Sequence, residues 1–111
     1  MKLPVRHLRQ QAYTHQSGLC YYCQCPMWTV SCSEFAQTHS LSLKAANRFQ
    51  CSAEHLRPVG QGGLTTADNI VAACVFCNRT RHKARKVRTP EDFAIYVRRR
   101  IAAKRWNQKF R

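Results

Sequence analysis

Residues 68–82 read DNIVAACVFCNRTRH, and the fold turns on how this stretch is parsed. Ile70 to Ala73 is a short apolar run suited to a β-strand. Val75 to about Val87 contains no Gly or Pro and reads as a helix. Between them sits Cys74-Val-Phe-Cys77, whose two thiols can reach one ion from a tight turn. A second pair, Cys20-Tyr-Tyr-Cys23, lies upstream with 50 residues between Cys23 and Cys74. Two such knuckles complete a tetrahedral Zn²⁺ shell with sulfur at about 2.3 Å. Cys20, Cys23, Cys74 and Cys77 are therefore the expected structural zinc ligands, stapling two distant parts of the chain. A closed four-thiolate shell has no open position, so this zinc is scaffold and not catalyst. The competing reading of either pair is a redox motif, but neither sits in a convincing βαβ context. Cys25 could compete with Cys23 as a ligand. Otherwise Cys25, Cys32 and Cys51 read as small buried or half-buried thiols.

The rest of the composition fits a small metal-stapled domain. A chain of 111 residues suggests one domain, with an adequate but not generous core that a metal would help to hold. Nineteen Lys and Arg against five Asp and Glu give a net charge of +14. That imbalance concerns partners rather than fold, and it favours nucleic acid first and an anionic membrane second. No run of 18 apolar residues could span a bilayer, and MKLPVRHLRQQAYTHQ has no apolar signal core, so a cytoplasmic location is expected. Seven cysteines in a reducing compartment point to metal ligation rather than disulfides. The charge is also uneven. Residues 1–50 hold five Lys or Arg, and residues 51–111 hold 14.

Secondary structure can be sketched from the same principles. Pro4 to roughly Thr14 is a helix, with Val5, Leu8 and Ala12 at helical spacing and Gly18 breaking the chain beyond it. EFAQTHSLSLKAAN, residues 34–47, reads as one or two short helices with Ser40 or Ser42 as a cap. Phe49 to Leu56 alternates weakly before Pro58 and reads as a strand, and GQGG at 60–63 as a turn. Thr89-Pro90-Glu91-Asp92 supplies an N-cap, a proline at the first helical position and first-turn acids. Phe93, Val97 and Ile101 then mark one face of a basic helix running to about Arg105.

Glu54 and His55 remain, followed by Pro58 and Gly62-Gly63. Taken singly, each has an ordinary reading. Glu54 could pair with Arg57 or another surface cation, His55 could be a structural histidine in a turn, and Asn69 could be a cap or turn residue. The order is what distinguishes them: Cys-x-x-Cys, Glu-His-x-x-Pro, Gly-Gly, Asp-Asn, then Cys-x-x-Cys-Asn-x-x-x-His over residues 20 to 83. This arrangement resembles the zinc-stapled members of the HNH endonuclease family.

The resemblance implies an α+β fold with a ββα-metal core over about residues 18–88, flanked by an N-terminal helix and a basic C-terminal helix at about 90–106. The single nuclease domain would fill 1–111. It implies that His55 is the general base, that Asn69 holds the loop and orients the base's backbone, and that Glu54 and Asn78 ligate a divalent cation. His82, four residues after Asn78, is the alternative or additional ligand. The Glu in place of the commoner Asp is one methylene longer, and the 30 residues between Cys23 and Glu54 exceed the spacing in compact members. Phosphodiester hydrolysis needs charge stabilised on the phosphoryl and leaving oxygens, which a hard cation such as Mg²⁺ or Mn²⁺ supplies. Because neighbours on a strand point to opposite faces, Glu54 and His55 do not both chelate simply.

On the helix after Cys74, Asn78, Arg81, His82 and Arg85 would share one face, with Arg79 and Lys83 on the flanks. With Arg57, Arg98 and Arg99 they form the expected nucleic-acid contact. The expected substrate is double-stranded DNA, with no small-molecule cofactor. Oligomeric state and base specificity stay open. The rival reading is a zinc-dependent nucleic-acid-binding module without catalysis. Trp28 and Trp106 read as core residues.

Overall fold

The computed structural model describes residues 3–107. Helix α1 spans Val5–His15 and buries Leu8. It ends where Ser17 and Gly18 both take positive φ, turning the chain into the first cysteine knuckle. Helices α2 (Cys32–His39) and α3 (Leu43–Asn47) follow. Ser31 caps α2 by accepting from Glu34 N, and Ser42 caps α3 by accepting from Ala45 N. Ser40 is not a start signal. It closes α2 in the left-handed conformation.

Strand β1 (Cys51–His55) pairs antiparallel with β2 (Ile70–Cys74), Cys51 opposite Cys74 and His55 opposite Ile70. The connecting loop contains a short 3₁₀ turn at Val59–Gln61. It closes tightly at Gly63, where an added Cβ would lie 1.8 Å from the Arg57 carbonyl oxygen. Only glycine fits that approach.

Helix α4 (Val75–His82) starts directly on β2, and α5 (Pro90–Ala102) opens with the expected Thr89 cap accepting from Asp92 N. The result is an α+β chain in which a two-stranded sheet and the helix after it adjoin a four-cysteine cluster, in keeping with a ββα-metal fold.

The segment between Cys23 and Glu54 is structural in one clear respect. Phe35, Ala36, Ala46 and Phe49 join the main core beside Tyr22 and Cys51. Trp28 clips this segment down, donating its indole N–H to Ala46 O at 2.8 Å. Phe93 and Val97 bring α5 into the same core.

One boundary corrects the expectation from sequence. The helix after Cys74 ends at His82, not near Val87. Residues 79–88 hold six Lys or Arg and no acid, so i,i+4 pairs such as Arg79 with Lys83 repel instead of supporting further turns. Arg81 also draws the chain back, its Nε donating to Arg88 O at 3.0 Å. Arg85 therefore lies beyond the helix and does not share a helical face with Asn78.

Candidate active site and metal centre

The four cysteines Cys20, Cys23, Cys74 and Cys77 come together with all ligand atoms within 4.8 Å of one another, and all are buried. A tetrahedron with Zn–S of 2.3 Å has S···S edges of about 3.8 Å. Cys23 Sγ and Cys74 Sγ are 3.9 Å apart, so the cluster already has the dimensions of a zinc shell. Local backbone explains why. Cys20 N donates to Cys25 O and Gln24 N to Cys20 O, folding the first knuckle around a left-handed Gln24. Cys74 is the N-cap of α4, its sulfur accepting from Cys77 N at 3.4 Å, while Cys20 sulfur accepts from Cys74 N at 3.3 Å.

Such donors, at a helix N-terminus, favour thiolate. Burial works against ionisation of Cys20, but hydrogen bonds from Cys23, Cys74 and Cys77 outweigh it and bring its pKa well below the usual thiol value. The same sharing pushes Cys77 and Cys23 upward, chiefly through their bonds to Cys20. Ligation of a divalent ion would displace the thiol protons. Cys25 is buried and hydrogen-bonds Cys23 from outside the four. Among the described residues this is the one cluster of three or more His, Cys, Asp or Glu side chains able to hold a metal.

Glu54 is 0% exposed. Its Oε2 accepts from Tyr22 Oη at 2.7 Å and Arg81 Nη1 at 2.9 Å, and its Oε1 accepts from His82 Nε2 at 2.6 Å. Burial first, then the Glu54 charge, raises the Tyr22 hydroxyl well above its ordinary pKa, so it stays a donor. Tyr22 lies inside the first cysteine knuckle. The same turn that presents two sulfurs therefore presents a hydroxyl to the carboxylate, a link between zinc and Glu54 that spacing alone does not announce.

Arg81 requires a correction. It was expected at a phosphate, but it is 2% exposed. Besides Glu54, it donates to His55 O at 3.0 Å, Leu56 O at 2.8 Å and Arg88 O. Three backbone carbonyls and a buried carboxylate satisfy it, and no face remains for nucleic acid. Arg57, Arg79, Lys83, Arg85, Arg98 and Arg99 are exposed. Arg57 is partly engaged, its Nε donating to Gln61 O at 2.8 Å.

Asn78 lies one turn before His82 on α4. Its Nδ2 donates to Ser52 Oγ at 3.0 Å and Ala53 O at 3.1 Å. A carbonyl can only accept, so Ala53 O fixes the amide orientation and turns Asn78 Oδ1 the other way. His55 alternates to the opposite face of β1 from Glu54. It is half-buried, with Nε2 3.0 Å from Thr65 Oγ1. Thr65 carried no signal in the sequence.

Asn69 spans the base of the intervening loop. Its Oδ1 accepts from Arg57 N at 2.8 Å, and its Nδ2 donates to Arg57 O at 3.1 Å and Leu64 O at 2.8 Å. Leu56 N donates to Asn69 O at 2.9 Å, one position beyond the paired His55 and Ile70. Glu54, Arg81 and His82 thus meet directly, Asn78 sits beside them on the strand backbone, and His55 faces Thr65.

A carboxylate oxygen, an imidazole nitrogen and an amide oxygen form a donor set compatible with a divalent cation. Glu54, His82 and Asn78 would supply those donors. No helix among the described residues is long and apolar enough to cross a membrane.

Compared with known proteins, residues 43–84 match the model of one family, described as HNH endonuclease. That interval runs from α3 through the hairpin and α4. No curated protein and no solved structure matches the chain.

Proposed function

We propose that this chain, of which residues 43–84 match the HNH endonuclease model, is a metal-dependent endonuclease hydrolysing phosphodiester bonds in double-stranded DNA. The whole chain, on this reading, is one nuclease domain. The observation that carries the reading is the meeting of Glu54 Oε1 and His82 Nε2 at 2.6 Å beneath the helix that also bears Asn78. Glu54 and Asn78 hold the catalytic cation, with His82 as the third ligand. Zinc fills the cysteine cluster and stays structural.

A bound divalent cation, Mg²⁺ or Mn²⁺, supplies charge stabilisation at the phosphoryl and leaving oxygens. An imidazole in the donor set favours Mn²⁺ over Mg²⁺. His55 accepts the proton of the attacking water. His55 Nε2 lies 3.0 Å from Thr65 Oγ1; in the tautomer with the proton on Nε2, the lone pair of Nδ1 is the basic site. Asn69 fixes the two ends of the loop next to His55 and so holds the base's backbone. Arg81 and Tyr22 saturate Glu54 Oε2, leaving Oε1 as its single ligand atom. Exposed Arg57, Arg79, Lys83, Arg85, Arg98 and Arg99 attract the phosphate backbone. Cysteine-rich metal ligation suits a reducing compartment, the cytoplasm.

A second reading, a nucleic-acid-binding module without catalysis, is favoured by one observation. Glu54 is wholly buried and already satisfied by Tyr22, Arg81 and His82, as a purely structural carboxylate would be.

Supercoiled plasmid incubated with the zinc-loaded chain and Mn²⁺ or Mg²⁺ separates the two. Cleavage to open-circular or linear DNA, with loss of about 10²- to 10⁴-fold in His55→Ala, is expected for the nuclease. Retardation of the plasmid by both proteins without strand breaks would establish the binding module instead.

A further inference from the structure

A cavity of about 660 Å³ opens between α4 and α5, away from the Glu54 cluster. On a helix turning 100° per residue, Phe76, Thr80 and Lys83 lie on the face opposite Asn78 and His82. Arg48, Lys83, Arg100 and Arg105 bring four cations to this cavity, and among the described residues no carboxylate lines it. Phe76, Tyr96 and Trp106 form an aromatic wall, with Phe76 and Tyr96 set edge-on to Trp106 at 5.0 and 5.8 Å.

The unusual feature is a set of orphan donors. Trp106 is 9% exposed and Asn107 5%. Trp106 Nε1, Asn107 Nδ2 and Arg100 Nε are all buried without a hydrogen-bond partner among the described residues. Buried donors in folded proteins are nearly always satisfied, so three together in one cationic wall call for an acceptor-rich ligand.

We propose that this cavity is a second nucleic-acid site that takes the phosphate of one nucleotide, with its sugar and base against the aromatic wall. This rests on the reading of nucleic acid as the partner, but needs no cleavage. Phosphate oxygens accept only, matching a wall of N–H donors, and the diester charge answers four cations without a carboxylate partner among the described residues. The aromatic rings give a surface for stacking that is indifferent to base identity. Because the three orphan donors are closed to solvent, the ligand enters as rim side chains part, and Arg105 is an exposed member of that rim. A strand held here would be gripped on the far side of α4 from His82.

The two indole N–H groups provide the test. Trp28 already donates to Ala46 O, so its resonance is an internal reference, while Trp106 N–H gains a partner only on binding. Zinc-loaded full-length His55→Ala is titrated with a 5′-phosphorylated thymidine dinucleotide, with inorganic phosphate, and with sodium chloride at matched ionic strength. Trp106→Phe assigns the signal.

The proposal expects the Trp106 resonance to move downfield and saturate with the dinucleotide while Trp28 stays. Arg105→Gln should raise the half-saturation concentration about five- to tenfold. An unmoved Trp106 resonance, an equal response to sodium chloride, or a response to inorganic phosphate alone overturns it. If the Trp106 resonance stays put while the wild-type chain cuts plasmid, only this second site fails. If it moves and no plasmid is cut, the nuclease reading fails and this site stands.

Discussion

Replacing Arg81 by methionine would test how the site is built. The side chain keeps an unbranched stem but loses its charge and every donor. In the structure those donors serve Glu54 Oε2, His55 O, Leu56 O and Arg88 O, at 2.8 to 3.0 Å. Glu54 would be left as a buried carboxylate with Tyr22 and His82 alone. Breaking one side of a buried pair costs about 3–5 kcal/mol. Against a total stability of about 5–15 kcal/mol for a domain of this size, that is a large fraction. At roughly 4 °C or more per kcal/mol, the melting temperature should fall by at least about 12 °C.

The assay is thermal unfolding by circular dichroism at fixed zinc concentration, with Glu54→Leu and the double variant alongside. The double variant removes the orphan charge and should recover part of the loss, since apolar replacement of a buried pair is often near neutral. A loss below about 1 kcal/mol for Arg81→Met, the value of an exposed pair, would refute the burial of this guanidinium.

Chelation of zinc should abolish cooperative unfolding, because structural zinc contributes about 10–16 kcal/mol in small zinc modules, as much as a whole domain's stability. An unchanged melting curve, with metal loss verified by mass spectrometry, would contradict the four-cysteine shell. Gly63→Ala should cost about 2–4 kcal/mol, since its Cβ would collide with Arg57 O and force the loop open. Hydrogen exchange reports this directly: the Arg57 amide, bonded to Asn69 Oδ1, should lose protection, and full protection would show that the loop tolerates a side chain.

What the sequence disclosed was what short-range chemistry dictates. Cys-x-x-Cys spacing announced the metal shell because two thiols three positions apart converge wherever the backbone turns. Thr89-Pro90 marked the start of α5 because cap and proline act within one helical turn. Helical phase places Arg81 near Asn78 but cannot reveal the four acceptors arriving from Glu54, His55, Leu56 and Arg88. On α4, Arg81 and His82 flank Asn78, and Glu54 takes a hydrogen bond from both. The helix stops early for a related reason, since one acceptor of Arg81, Arg88 O, is reached only when the chain turns back after His82. Tyr22 was visible as a residue within a motif, but its bond to Glu54 exists only once zinc ligands and hairpin are brought together. Thr65 belongs to a loop with no periodicity to read.

Whether Glu54, His82 and Asn78 bind a divalent cation decides the catalytic account. Substoichiometric Mn²⁺ added to the zinc-loaded, isotope-labelled chain measures it through paramagnetic broadening. The His82 imidazole and Asn78 side-chain amide resonances should vanish first, and Glu54→Gln should protect both. If those two signals survive Mn²⁺ at a concentration that broadens resonances elsewhere in the protein, the Glu54 cluster is a structural ion pair and binds no metal.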